Sequence, residues 1–480
     1  MRATLRRSCD ACAKSKQSCD LQLPRCSRCF KKDSACFYAN EPLFSSRNRR
    51  APFSKTSELN KQDINSENEV TSNGKRSTPD SVEKSVRLSG VADASFDPFD
   101  SYPPTRLPRL HVQRLIQYFL SNIAFRYYPL DLNIESNPFV VQWWPLALAD
   151  PALFHVSLQT ASLDEELRAQ KGFPISELLM IDSVSLLRQK LEDSSLAFED
   201  ETMDSVVTLA AIEHGKGNVE TSRAHINAVK QMVNVRGGIS ELKRTSPLTA
   251  RMISWVSMLV TEAPQFQIQD DSGLGNGIAP TPQWRLALTG SDLQHLSLHD
   301  LKIDPTISNA LVRLRTIFRH ERVSHMTSTD LHDLACFVLH KLLLLSPLSS
   351  EIPEQSAVSE CMRYAIALYM LSIHGTTYYS HDNLANDMIL KLKRHIEALV
   401  GTDYMNSSAG IWVLSVGLVA TTGTPYRKWF IAQTCTVAMA LGLHTWEEVL
   451  VRLETVFWTR TQQEELVRRK WEEIFKLLTD

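Results

Sequence analysis

The sequence predicts three successive parts: a small cysteine-rich module, a disordered linker and a large all-α region. Six of the nine cysteines fall within residues 9–36. Polar residues dominate between residues 45 and 91, where large apolar side chains are scattered. From about residue 105 onward, apolar residues recur at the three- and four-residue spacing of amphipathic helices. We therefore place the three parts at residues 1–42, 43–105 and 106–480.

The cysteines of the first part form a regular repeat of two CxxC pairs, each followed seven residues later by another cysteine. Six thiolates can complete two tetrahedral zinc sites only if two sulfurs bridge the metals. A segment of this size cannot bury enough apolar surface to fold alone, whereas structural zinc supplies roughly 10–16 kcal/mol in finger peptides. We therefore expect two structural zinc ions here. The predicted ligands are Cys9, Cys12, Cys19, Cys26, Cys29 and Cys36.

Two other interpretations of these cysteines are disfavoured. A disulfide framework is typical of secreted domains, but the first seven residues contain no apolar run, so we expect no secretory signal. A reducing compartment favours metal binding over disulfides. A thioredoxin-like redox CxxC needs an adjoining strand, and no apolar strand precedes Cys9 or Cys26.

Charge is distributed unevenly along the chain. Residues 1–55 contain thirteen basic and four acidic side chains, a balance of +9. The whole chain has a formal charge of −2, so the remainder carries −11. A basic patch on a rigid metal scaffold is typical of nucleic-acid binding, and a solvated basic tail is the less favoured alternative.

The segment from Cys9 to Cys29, CDACAKSKQSCDLQLPRCSRC, resembles the fungal zinc binuclear cluster family of transcription factors. The resemblance covers residues 9–38 and includes Pro24 at the position of the loop proline of the family. It implies that Cys9 and Cys26 bridge the two zinc ions. The other four cysteines would then complete the two sites.

The same resemblance implies binding to double-stranded DNA. In the family, a short helix after the second cysteine enters the major groove and reads a CGG-type triplet. Lys16 falls at the base-reading position, where a lysine can donate to guanine O6 and N7. Ala13 and Ser18 stand where the family usually has Arg and Lys, which leaves the affinity and the triplet preference open. The predicted phosphate contacts are Lys14, Arg28, Lys31, Lys32, Arg6 and Arg7.

The linker, residues 43–105, has the composition of a disordered segment. Leu59, Ile64 and Val70 are spaced five and six residues apart, which fits no heptad seam. A homodimer through this linker is therefore not supported, and a dimer would have to form elsewhere. A cluster of Arg47, Arg49 and Arg50 fits a nuclear-import signal.

In the third part, apolar periodicity predicts helices over residues 176–192, 201–214, 222–235 and 327–345, and a further helix at the C-terminal end. A Thr327-x-x-Asp330 cap starts one of them, and Arg236-Gly237-Gly238 stops another. No alternating pattern predicts a strand. One continuous body and two lobes divided near residues 270–282 are both compatible with this pattern.

Residues 110–265 resemble the helical regulatory domain of a subset of the same fungal family. The resemblance is carried by AIEHGKGN over residues 211–218, by HINAVKQMVNVRGG over residues 225–238 and by Trp255. It implies an all-α regulatory region without catalytic residues. For His214 and His225 we favour helix-end and packing roles.

The sequence does not predict an enzyme. His320 and His325 are five residues apart and cannot share a metal on a helix as an HExxH pair does. The glycines of residues 273–277 do not form a GxGxxG loop after a strand. Apolar surroundings predict buried structural thiols, and no apolar stretch reaches the 18 residues of a membrane span. These thiols are Cys336, Cys361 and Cys435.

Together these features predict a nuclear, sequence-specific DNA-binding regulator of transcription by RNA polymerase II, which acts with coregulators or the transcription machinery. The start of the reading helix, Cys12-Ala-Lys-Ser-Lys16, is similar to that of regulators of fungal secondary-metabolite gene clusters. Two alternatives remain open: a zinc cluster that contacts protein or RNA, and a DNA reader fused to a metabolite-sensing helical domain.

Overall fold

The computed structural model describes residues 10–15, 17, 27–32, 102–287, 303–319, 326–348, 353–375, 381–458 and 462–479. The chain divides into two compact units, Met1–Ala92 and Asp93–Asp480. In the first unit the structure describes two one-turn helices, α1 (Asp10–Lys14) and α2 (Ser27–Lys31). The predicted linker, residues 43–105, lies almost entirely outside the described residues.

The first half of the second unit is built from helices joined by short turns. Two π-helical turns, Phe119–Ile123 and Phe139–Trp143, interrupt its N-terminal helices. The α-helices of this half are α3 (Arg109–Tyr118), α4 (Ala124–Tyr127), α5 (Trp144–Ala149), α6 (Pro151–Ala169), α7 (Pro174–Glu192), α8 (Asp200–Gly215), α9 (Val219–Val235), α10 (Ile239–Thr245) and α11 (Pro247–Thr261).

The second half is also helical. Its elements are α12 (Pro282–Leu286), α13 (Pro305–Arg319), α14 (Ser328–Leu343), α15 (Pro353–His374), α16 (Asp382–Glu397), α17 (Ser408–Ala420), α18 (Arg427–Leu441), α19 (Trp446–Val456) and α20 (Gln462–Thr479). The described residues contain no strand, and their one β-bridge joins Ile268 to Ile278. The all-α prediction is therefore confirmed for the described part of the chain.

Local signals explain several helix ends. The Thr327 hydroxyl accepts from the Asp330 amide at 3.1 Å, and the Asp330 carboxylate accepts from the Thr327 amide at 3.2 Å. This capping box satisfies amides that would otherwise lack partners at the start of α14. Helix α9 ends at Gly237 and Gly238, whose φ angles of 90° and 95° suit glycine. Both of these helix-end predictions are confirmed.

One apolar core runs from Leu107 to Ile474 in the second unit. Helix α6 is central to the first half, with residues 152–164 all buried, and α15 is central to the second half. Two of the buried tryptophans donate their indole N–H groups to serines: Trp143 to Ser157 Oγ at 3.0 Å, and Trp471 to Ser415 Oγ at 2.9 Å. The described residues of the second unit thus form one body, and the two-lobed alternative is not observed.

The segment between α11 and α12 is an ordered loop that contacts α12 and α14. Asp271 accepts from the Trp284 indole at 2.9 Å and pairs with Lys341 of α14 at 3.0 Å. A Cβ at Gly277 would lie 2.3 Å from the Gln267 carbonyl oxygen, so only glycine fits there. These contacts fix residues 262–281 against α14.

Three buried histidines lie where α11, α14 and α15 meet. His332 Nδ1 and His374 Nε2 are 2.7 Å apart, and the ring of Trp255 stacks on His374 at 3.9 Å between centroids. His340 Nδ1 lies 2.8 Å from the Cys336 carbonyl oxygen and donates to it. Burial lowers the pKa of all three imidazoles, in the case of His340 to about 4.

Two predicted apolar positions of α7 do not face the core. Leu179 and Leu187 are buried, whereas Ile181 is 58% exposed and Leu191 is 49% exposed. Leu110 at the start of α3 is likewise exposed. The apolar periodicity predicts the positions of these helices, but their buried faces are narrower than the apolar pattern indicates.

Candidate nucleic-acid interface

The two short N-terminal helices present equivalent cysteines of the two repeats. Cys12 is the third residue of α1, and Cys29 is the third residue of α2. Both side chains are buried, although each helix is only five residues long. The packing of α1 against α2 therefore brings the two halves of the cysteine repeat together.

Arg28 joins the two halves through its side chain. Its Nη1 donates to Ser15 Oγ at 2.5 Å and lies 3.9 Å from Cys12 Sγ. Ser15 in turn donates to the Ala11 carbonyl oxygen of α1 at 2.8 Å. The guanidinium of one half thus lies beside a sulfur of the other.

The lysines on these helices point toward solvent. Lys14 follows Cys12 on α1, and Lys31 and Lys32 follow Cys29 at the end of α2. All three side chains are exposed, as a phosphate contact requires. The remaining predicted site residues of this unit lie outside the described residues: Cys9, Cys19, Cys26, Cys36, Lys16, Arg6, Arg7, Arg47, Arg49 and Arg50.

The described donors fit a zinc-thiolate site. Cys12 and Cys29 are buried soft ligands, and Arg28 next to Cys12 offsets the negative charge that thiolates accumulate. Among the described residues no three His, Cys, Asp or Glu side chains are grouped for metal binding. Four of the six cysteines lie outside that part of the chain. Zinc would hold this unit together in place of an apolar core.

Two family models match the chain. Residues 7–43 match the Fungal Zn(2)-Cys(6) binuclear cluster domain, and residues 114–263 match the Fungal specific transcription factor domain. No curated protein and no solved structure matches the chain significantly. The combination defines a fungal DNA-binding regulator of transcription.

The N-terminal segment therefore matches the binuclear cluster domain, which binds two structural zinc ions through six cysteines and contacts DNA. The predicted zinc cofactor and the recognised family are confirmed. Both matched families are transcription factor domains and not enzyme families.

The matched regulatory domain runs from α3 to α11, and the residues that carried its resemblance have structural roles. Asn218 Nδ2 donates to Glu213 Oε2 at 2.6 Å across the α8–α9 turn. Arg236 donates to the Phe198 carbonyl oxygen at 2.7 Å and to Asp200 Oδ1 at 3.0 Å. Arg236 therefore connects the end of α9 to the start of α8. The sequence places this arginine in the motif of residues 225–238 but does not indicate its partners.

The two histidines of the matched domain also occupy structural positions. His214 lies in the last turn of α8, and His225 lies in the middle of α9. Burial lowers the pKa of both imidazoles, which favours their neutral form. These positions agree with the packing and helix-end roles favoured from the sequence.

Cysteines of the helical body are shielded from solvent. Cys336 and Cys361 are buried, and burial raises the pKa of the Cys336 thiol to about 12. Burial raises the pKa of Cys361 as well, so both thiols are protonated and poor nucleophiles at neutral pH. Cys435 is half-buried. The prediction of buried thiols is thus confirmed for the first two cysteines and only partly for the third.

Of the two enzyme-like motifs in the sequence, the structure describes the glycine-rich residues 273–277 and does not describe the segment from His320 to His325. The glycine-rich residues 273–277 belong to the ordered loop, where Asp270 Oδ1 accepts from the Ser272 and Leu274 amides at 2.9 Å each. The residues between His320 and His325 lie outside the described residues. No helix in the described part of the chain is long and apolar enough to cross a membrane.

Proposed function

We propose that this protein is a nuclear, sequence-specific regulator of genes transcribed by RNA polymerase II. The observation that carries the proposal is the match of residues 7–43 to the binuclear cluster domain, together with exposed lysines on both described helices of that segment. The basic balance of +9 in residues 1–55 supports the same conclusion. It supplies electrostatic attraction to the phosphate backbone.

Within this proposal the cationic residues divide into two groups. Lys16 reads a base of a CGG-type triplet, and residues that contact phosphate set the orientation of the module. The exposure of Lys14, Lys31 and Lys32 supports phosphate contact. Arg28 already engages Ser15 and Cys12, which favours a role within the module. Arg6 and Arg7 would add backbone contacts.

The remaining parts of the chain would serve delivery and regulation. Arg47, Arg49 and Arg50 would direct nuclear import. The helical body would recruit coregulators or the transcription machinery, and it would also hold any homodimer interface. Genes of a secondary-metabolite cluster are the proposed targets, because Cys12-Ala-Lys-Ser-Lys16 is similar to the start of the reading helix in regulators of that kind.

The proposal is tested by the affinity of the full chain for a CGG-containing duplex and for a scrambled duplex, measured by fluorescence anisotropy at one salt concentration. Lys16→Ala should lose about 1–3 kcal/mol of discrimination between the two, because it removes a base contact. Lys32→Ala should weaken both complexes equally and reduce the salt slope by about 1, because it removes a phosphate contact.

Zinc content, with two ions per chain expected in each variant, serves as the folding control. Equal losses of discrimination in the two variants would remove Lys16 from the reading role. Equal affinity of the unmodified chain for both duplexes would overturn sequence-specific binding and favour contact with protein or RNA instead.

A further inference from the structure

A cavity of about 170 Å³ lies between α10, α11 and α14 of the helical body. The ordered loop before α12 contributes residues 278–281 to its wall, and α12 contributes Pro282. An engineered cavity of about 150 Å³ is large enough for benzene, so this one can hold a small organic molecule. The matched regulatory domain ends at residue 263, so α14 and the loop complete the wall from outside it.

Four charged residues line the cavity: Lys243, Arg251, Asp330 and Asp333. Arg251 Nε and Nη2 donate to the two carboxylate oxygens of Asp333 at 2.9 Å each, and Lys243 pairs with the same carboxylate. Asp333 is therefore shared by two cations. Bidentate pairing also fixes the position of the guanidinium.

Hydrogen-bond donors remain available in this cluster. Lys243 has three ammonium protons, and among the described residues it pairs with Asp333. The Nη1 group of Arg251 has no hydrogen-bond partner in the described part of the chain. A ligand with acceptor oxygens could bind both groups.

Burial lowers the pKa of the Lys243 ammonium, while Asp333 opposes that shift. A bound anion would further favour the charged form of this lysine.

Apolar side chains also line the cavity. Ile239 and Ala250 line it from α10 and α11, Ile278 and Pro280 line it from the loop, and Pro282 lines it from the start of α12. Charged and apolar side chains therefore line the same space. A ligand without an apolar part would not contact the apolar side chains of the cavity.

We propose that this cavity binds a small organic monocarboxylate, whose carboxylate accepts from Lys243 and Arg251 and whose apolar body packs against the loop. The proposal goes beyond DNA recognition, and binding can be measured without DNA. A failure of this site would therefore leave the proposed function unaffected, and a failure of DNA binding would leave the site unaffected.

Isothermal titration of the full chain with benzoate tests the site. We expect saturable binding with one site per chain. Benzamide has the same shape without the charge, and acetate has the charge without the apolar body, so both should bind at least about tenfold more weakly. The absence of saturable benzoate binding, or equal affinity for benzamide, would overturn the proposal.

Lys243→Met should weaken benzoate binding about tenfold or more, because it removes a charged donor of similar length. Lys243→Arg should restore much of the affinity. Lys391→Met is the matched control, since Lys391 pairs with Asp387 at 2.7 Å on α16 and does not line the cavity. Unchanged binding in Lys243→Met would contradict the site.

A second variant does not depend on the charged cluster. Ala279 lines the cavity but is exposed, so Ala279→Leu narrows the opening without adding volume to the core. We expect weaker benzoate binding with an unchanged thermal melting curve. Full affinity in Ala279→Leu would place benzoate outside this cavity and overturn the proposal.

Discussion

Arg28 illustrates how a single residue can be predicted for one role and placed in another. Its position beside Cys29 in a basic segment predicts a phosphate contact. In the structure its guanidinium binds Ser15 and lies beside Cys12 Sγ of the other half. Sequence spacing cannot show this, because the contact joins residues that are sixteen and thirteen positions apart.

Arg28→Met should therefore weaken zinc binding by about tenfold, the lower end of the effect of removing a group that supports a metal ligand. Competition with a chromogenic chelator measures this directly. Lys31→Met is the matched control, because Lys31 is exposed on the same helix. It should retain zinc and lose DNA affinity. Equal zinc retention in the two variants would contradict a role of Arg28 in zinc binding and would favour the phosphate contact predicted from the sequence.

At the scale of the element, α14 shows which helix ends can be predicted. Its start follows from the Thr327 and Asp330 capping box, whose two members are three residues apart in the sequence. Its end depends on Arg363 of α15, which donates to the Leu342 carbonyl oxygen at 2.8 Å and to the Ser346 carbonyl oxygen at 3.2 Å. The sequence around the end of α14 does not predict this contact, because Arg363 lies in another helix.

Arg363→Met should destabilise the body by about 3–5 kcal/mol, because it leaves Glu360 buried without its partner as well as the carbonyl groups without a donor. Urea unfolding followed by far-ultraviolet circular dichroism measures the change. Arg394→Met on the exposed face of α16 is the control and should stay within about 0.5 kcal/mol of the unmodified chain. A similarly small effect for Arg363→Met would show that the contacts of Arg363 with the end of α14 are not needed for stability.

Other elements were predictable for the same local reasons. Helix α9 carries strong apolar periodicity, and paired glycines end it. The loop before α12 was not predictable as an ordered part of the body, since its position depends on Asp271 meeting Trp284 and Lys341. The exposed faces of Ile181 and Leu191 depend equally on which helices pack against α7.

At the scale of the whole molecule, the two units rely on different sources of stability. The first unit has two five-residue helices with buried cysteines, and its matched domain binds two zinc ions. The second has one apolar core shared by helices from both of its halves. The cysteine repeat identified the first unit from sequence alone, because metal ligation imposes a fixed spacing. The cavity of the second unit could not be foreseen, because three helices and a loop form it.

The buried imidazoles of His332, His374 and His340 make the helical body sensitive to acid. Their pKa values in the folded chain lie below the ordinary 6.5, so the unfolded chain takes up protons first as the pH falls. Stability is then lost from about pH 6.5 downward, by about 1.4 kcal/mol per pH unit for each histidine. Asp204 acts in the opposite direction, because burial raises its pKa well above the ordinary value.

Urea unfolding at pH 7.5 and pH 5.5, followed at the helical signal, measures this proton linkage. His340→Leu should have a shallower pH dependence by about one proton, since the pKa of His340 is about 4 in the folded chain. An unchanged slope would mean that His340 is also protonated in the folded chain. The three histidines at the junction of α11, α14 and α15 thus set the lowest pH at which the helical body stays folded, independently of zinc or DNA.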